Sequence, residues 1–72
     1  MSEATLNARL LIANHTLKVL LSQISQIEAD QKMSSNEKLS QIKKIREEIT
    51  KVGTEIDSIK REFTLLNSYS IN

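Results

Sequence analysis

The stretch IKKIREEITKVGTEIDSIKREFTLL, residues 42–66, carries apolar side chains in two rows with a spacing of seven residues. The two rows consist of Ile42, Ile49, Ile56 and Phe63, and of Ile45, Val52, Ile59 and Leu66. A mean spacing of 3.5 residues keeps one narrow apolar stripe along a helix, where it faces another helix. Residues 42–66 are therefore predicted to form a coiled-coil helix.

The first half of the chain has the same period but a wider apolar stripe. Its two rows are Leu6, Ala13, Leu20 and Ile27, and Leu10, Leu17 and Ile24. Four further large apolar residues, Leu11, Ile12, Val19 and Leu21, lie outside these rows. A helix that is apolar around much of its circumference buries more than one face.

Between the two halves, the periodicity is lost over the polar segment 28–38, EADQKMSSNEK. Ser34 and Glu37 have the spacing of a capping box, in which a serine at the helix start and a glutamate three residues later satisfy each other's backbone amides. We expect helix 1 at about 3–31, a loop at about 32–35, helix 2 at about 35–67 and a non-helical tail at 68–72.

If the chain folds back at this cap, residues whose numbers sum to 69 face each other, and every resulting layer is apolar. Leu6 then meets Phe63, and Arg9 lies opposite Glu62. Agreement between the turn signal, the apolar rows and the flanking charges favours an all-α antiparallel helical hairpin, as part of a multi-helix bundle. The alternative is one long continuous coiled-coil helix. The predicted intramolecular seam contains Leu6, Leu10, Ala13, Leu17, Leu20, Ile24, Ile27, Ile42, Ile45, Ile49, Val52, Ile56, Ile59 and Phe63.

Composition limits the classes of protein to which the chain can belong. The 72 residues include no cysteine, which excludes a disulfide scaffold and a thiolate zinc site, and the formal net charge is only +1. The longest uninterrupted apolar run, residues 10–13, is too short for a signal peptide or a membrane span. We therefore expect an intracellular protein, cytoplasmic or nuclear, without a membrane partner.

The sequence contains no convincing catalytic or metal site. His15 is the one histidine, and no cysteine is available to complete a transition-metal site with it. Glutamates such as Glu48 and Glu55 are spaced for surface ion pairs, and a two-helix hairpin encloses no pocket that separates the pKa values of an acid and a base. We predict no catalytic residues, no cofactor, no small-molecule substrate and no enzymatic activity.

A short basic patch supports an alternative function. Lys43, Lys44, Arg46 and Lys51 are close enough on one helix to contact phosphates, as in a small helical nucleic-acid-associated regulator. Glutamates interrupt the patch, and no aromatic residue lies nearby to stack on bases. Nucleic acid is therefore the disfavoured partner.

The apolar residues outside the seam indicate a partner helix. The predicted partner interface consists of Leu11, Ile12, Val19, Leu21, Leu39, Gly53 and Leu65. Gly53 costs about 1 kcal/mol relative to alanine inside a helix, and either close approach of another helix or a tolerated surface glycine accounts for it. The sequence thus favours a non-enzymatic coiled-coil interaction module, a small subunit or adaptor that completes a helix bundle with itself or with other coiled-coil subunits.

Overall fold

The computed structural model describes residues 2–70, which form two helices packed against each other along their length. Helix α1 spans Glu3–Ala29 and helix α2 spans Ser35–Ser70. The chain measures 59 × 15 × 13 Å along its principal axes, so it is a narrow rod. The predicted all-α helical hairpin is confirmed, and the alternative of one continuous helix is wrong.

A serine caps each helix at its N-terminus. The Ser34 hydroxyl accepts a hydrogen bond from the backbone N–H of Glu37 at 3.2 Å, which satisfies one of the free amides of the first turn of α2. Ser2 does the same for α1, because its hydroxyl accepts from the N–H of Thr5 at 3.2 Å. The serine half of the predicted capping box at Ser34 is therefore present, whereas the cap at Ser2 was not foreseen.

Helix α1 ends two residues earlier than expected, at Ala29 rather than 31. The reason is Asp30, whose backbone is extended and whose carboxylate accepts a hydrogen bond from the N–H of Lys32 at 2.8 Å. Such a local bond from an aspartate side chain offers the backbone an alternative to helix. The linker between the helices is consequently 30–34 rather than 32–35.

Helix α2 continues beyond its expected end. The tail predicted to be non-helical at 68–72 is wrong for residues 68–70, which are helical, and residues 71–72 lie outside the described part of the chain. Neither proline nor glycine follows Gly53 to stop the helix. Leu66 packs against the core one turn before this end, so tertiary contact holds the last turns of the helix.

The core lies between the two helices and is best formed toward the chain termini. Leu6 and Ile59 are fully buried, and Ala13 joins them in one cluster. The half-buried residues packed against this cluster are Leu10, Val52, Ile56, Phe63 and Leu66. Three of the expected apolar layers, those at Leu6, Leu10 and Ala13, therefore have both members in one cluster.

Candidate helix-packing surface

The fourteen predicted seam residues are all buried or half-buried. Leu6, Ala13, Leu20 and Ile59 are buried. The remaining ten are half-buried: Leu10, Leu17, Ile24, Ile27, Ile42, Ile45, Ile49, Val52, Ile56 and Phe63. Only four buried side chains among them means that a large part of the apolar stripe still contacts water.

The six large apolar residues assigned to a partner interface are exposed. Their exposed fractions are 72% for Leu11, 67% for Ile12, 41% for Val19, 50% for Leu21, 68% for Leu39 and 57% for Leu65. Four of the six lie within three turns of α1. Single exposed leucines are ordinary on a protein surface, but a contiguous apolar patch marks an interaction site.

The outward face of α1 is the side of this helix that points away from α2. At about 100° per residue, His15 lies opposite the direction of the buried residues Leu6, Ala13 and Leu20. The outward face is made up of Ala8, Leu11, Ile12, His15, Val19 and Ser22, all of them exposed. Lys18 lies at its edge. The face contains no carboxylate and is formed by large aliphatic side chains, small side chains and His15.

An ion-pair cluster ties the two helices together beside this face. The Arg9 guanidinium donates to Glu62 at 2.8 Å through one nitrogen and to Glu55 at 2.7 Å through the other. Glu62 was expected opposite Arg9, but Glu55 was not. Glu55 and Glu62 lie about two helical turns apart on α2. The long arginine side chain carries its N–H donors on a forked guanidinium group, so it can reach both carboxylates.

The paired carboxylates affect the ionisation of Arg9. The hydrogen bond that Arg9 donates to Glu55 raises the pKa of Arg9 above its ordinary value, and partial desolvation opposes this rise. Arginine is protonated throughout the usual pH range, so the ion pair persists wherever the two glutamates are ionised. The Arg9 side chain is 29% exposed, so salt screens the interaction and its contribution to stability is small.

A shallow groove of about 250 Å³ runs along the hairpin next to this cluster. Its lining residues are Arg9, Ile12, Ala13, Thr16, Val52 and Glu55. The groove is open to solvent and holds no set of converging titratable groups.

Gly53 is half-buried on α2, and the hairpin itself gives no reason for a glycine there. A Cβ atom built on Gly53 meets no heavy atom within 4 Å. Its φ is not positive, so the backbone conformation is open to any residue. Whatever role Gly53 has at a partner interface stays a prediction.

The basic patch is a mixed-charge surface. Lys43, Lys44, Arg46 and Lys51 are all exposed. A groove near the linker brings Lys43 and Arg46 together with Glu28 and Glu47, so two carboxylates share the surface with two cations. A phosphate-binding surface has an excess of positive charge, which this groove lacks.

Residues 2–70 contain no group of three or more side chains that could hold a metal ion. Within the same residues, neither helix combines the length and the apolar character required to cross a bilayer. No family model, curated protein or solved structure matches this chain.

Proposed function

We propose that this chain is a non-enzymatic protein–protein interaction module, a small helical subunit that completes a coiled-coil helix bundle with another polypeptide. The observation that carries the proposal is the cluster of exposed apolar side chains on α1. Leu11 and Ile12 are more than two-thirds exposed and lie beside Val19 on the side of the helix that α2 leaves uncovered.

The energetics of a lone hairpin support this role. Ordering each residue costs about 1.5 kcal/mol in conformational entropy, and a pair of helices covers only one side of each. Full burial of a leucine or isoleucine side chain contributes about 1.5–3 kcal/mol. Covering the exposed fraction of Leu11, Ile12 and Val19 therefore supplies stabilisation that the seam alone does not provide.

The two helices differ in a way that fits a subunit with one binding side. The side of α2 that points away from α1 carries charged residues, among them Lys44, Glu47, Lys51 and Arg61, all exposed. Its threonine hydroxyls donate to carbonyl groups one turn back, as Thr50 does to Arg46 at 3.1 Å. Helix α2 thus has a mainly polar outer side, although Leu39 and Leu65 are exposed on this helix, whereas α1 has the composition of an inner helix of a bundle.

Replacement of Ile12 by glutamine tests this function. Gln has nearly the helix propensity of Ile, so in a lone hairpin the free energy of unfolding changes by less than about 0.5 kcal/mol. In an assembly that buries Ile12, Ile12→Gln costs about 1.5–3 kcal/mol. The measurement is urea unfolding at high protein concentration, followed by circular dichroism.

Ser25→Gln is the matched control, because Ser25 is an exposed residue of the same helix outside the apolar cluster. We expect Ile12→Gln to destabilise the protein and Ser25→Gln to leave it unchanged. A fully helical wild-type chain in which both substitutions are neutral at every concentration contradicts the proposed function.

A further inference from the structure

We propose that the outward face of α1 binds the same face of a second copy of this chain, with the two α1 helices antiparallel around a two-fold axis at His15. This inference rests on the proposed function and names its partner. The resulting assembly is a single layer of four helices, with the two α1 helices at its centre and the two α2 helices outside.

The order of side chains along the outward face fits an antiparallel pair. His15 is at the centre, and Ala8 and Ser22 lie seven residues to either side of it on the same line. An antiparallel partner centred on His15 places each Ala8 against Ser22 of the other copy. Both residues are small, so the two helix backbones can approach closely along this line.

Large apolar side chains flank the central line on both sides. Ile12 and Val19 lie on one side, and in the antiparallel pair each Ile12 packs beside Val19 of the other copy. Leu11 lies on the other side, next to the aliphatic stem of Lys18 from the other copy, whose ammonium group extends into water. Each exposed aliphatic residue of the face thereby gains an apolar neighbour.

The sparse charge of α1 is compatible with a second copy on this face. Between residues 4 and 27, α1 has no acidic residue and only two cations, Arg9 and Lys18. Arg9 already binds Glu55 and Glu62, so the outward face needs a partner surface that is apolar and free of like charge. Each copy brings one cation, Lys18, to the edge of this face, and in the antiparallel pair the two Lys18 residues lie about 9 Å apart along the helix axis.

The outward face of α1 needs an apolar partner surface. Within residues 2–70, the helix surface with this apolar composition is the outward face of α1 itself. The corresponding side of α2 carries the exposed charges described above. Contact between α1 and the outer side of α2 from another copy would bury lysine and glutamate side chains against leucine and isoleucine, which is costly. Self-association through α1 avoids this cost, and a two-fold axis closes the assembly at two copies.

The exposed area of the hairpin is sufficient for such a dimer. The chain exposes 5711 Å². A compact monomer of 8.2 kDa exposes about 4,500 Å², so the rod carries about 1,200 Å² in excess. A small stable interface covers about 600 Å² on each partner. The rod as a whole therefore exposes enough surface for an interface of this size.

Cysteine cross-linking tests the arrangement, because the chain has no cysteine of its own. Helices packed 8–10 Å apart bring facing Cα atoms within the distance that a disulfide spans. His15→Cys, at the axis, is expected to form a covalent dimer under mild oxidation. Ala8→Cys and Ser22→Cys are expected to form no covalent dimer separately and to form a covalent heterodimer when the two variants are mixed.

Ala4→Cys and Leu39→Cys are the controls, and both residues are exposed. The two copies of residue 4 lie about 33 Å apart in the antiparallel pair but adjacent in a parallel one. Leu39 lies on α2, away from the outward face of α1. Neither control variant is expected to cross-link, and circular dichroism verifies that each variant is as helical as the wild type.

Three results overturn the inference, and they differ in what they imply for the proposed function. Cross-linking at residue 4 or residue 39 as efficient as at residue 15 assigns the contact to another orientation or face and leaves the function standing. A poorly helical chain without cross-links shows that a different subunit is required, which also leaves the function standing. A fully helical monomer without cross-links at any position contradicts both.

Charge insertion gives an independent readout. Ile12→Glu puts a carboxylate into the proposed contact and is expected to raise the dimer dissociation constant by at least about tenfold. Leu65→Glu is the matched control, since Leu65 is similarly exposed but lies on α2. Equal effects of the two substitutions overturn the inference.

Discussion

Ile59 is one of the two fully buried residues between the helices, and replacing it with alanine measures how much its packing stabilises the hairpin. Ile59 is fully buried in the cluster that also contains Leu6 and Ala13. Truncation of a buried isoleucine to alanine costs about 2–5 kcal/mol, and the value depends on how far the cavity can collapse. Phe63 and Val52 beside it are only half-buried, so they can move into the space. We therefore expect a loss near the lower end, about 2–3 kcal/mol.

A loss of this size is large for a chain of 72 residues, whose whole stability is about 4–11 kcal/mol at ordinary values per residue. It corresponds to a decrease of roughly 10–20 °C in the midpoint of thermal unfolding. The assay is urea unfolding at one fixed protein concentration, followed by circular dichroism, because dimerisation makes stability depend on concentration.

Leu65→Ala is the control, because it removes an aliphatic side chain that is 57% exposed. This substitution is expected to change the free energy of unfolding by less than about 0.5 kcal/mol. A loss for Ile59→Ala no greater than that for Leu65→Ala would refute the described packing of α2 on α1.

Three further substitutions test individual features of the hairpin. Gly53→Ala places a Cβ in open space and is expected to stabilise the chain by about 1 kcal/mol without changing its mass in solution; a lower mass would instead place Gly53 at a helix contact. Ser34→Ala removes the hydroxyl that accepts from Glu37 and is expected to cost about 1 kcal/mol in thermal or urea unfolding, with Ser35→Ala as the control. Arg9→Gln leaves Glu55 and Glu62 without their cation, so it is expected to destabilise the chain at low salt and much less at high salt; a salt-independent loss would contradict an electrostatic cause.

Much of the hairpin can be predicted from the sequence, because the seven-residue spacing of apolar side chains determines which side of each helix faces the other. The seven-residue rows place Leu6, Ala13 and Ile59 between the helices, and the fold-back register places Arg9 opposite Glu62. Exposure follows from the same rows, since Leu11 and Val19 lie outside them.

The features that the sequence does not show depend on short-range competition and on side-chain length. The Asp30 carboxylate ends α1 by accepting a hydrogen bond from the N–H of Lys32. A heptad pattern contains no information on this competition between helix and turn. Glu55 also pairs with Arg9 because the long arginine side chain reaches beyond the residue directly opposite it. Pairing residues by register alone does not include this reach. The extension of α2 to Ser70 reflects packing of Leu66 on the core, where local composition alone favours a tail.

The sequence predicts the apolar surface of α1 from the large apolar residues that lie outside the seam. The structure shows how these residues are arranged around the helix. Ala8, His15 and Ser22 follow the middle of the outward face, with Ile12 and Val19 beside them. This order is visible only when the buried direction of the helix is known, because it is defined relative to Leu6, Ala13 and Leu20.

Light scattering across a dilution series, with helicity followed in the same samples, tests the central claim that α1 requires a protein partner. At high concentration we expect a helical species of twice the 8.2 kDa chain mass, which loses helicity as dilution converts it to monomer. A monomer that stays fully helical at every concentration would contradict the claim, because its exposed apolar surface would then need no covering.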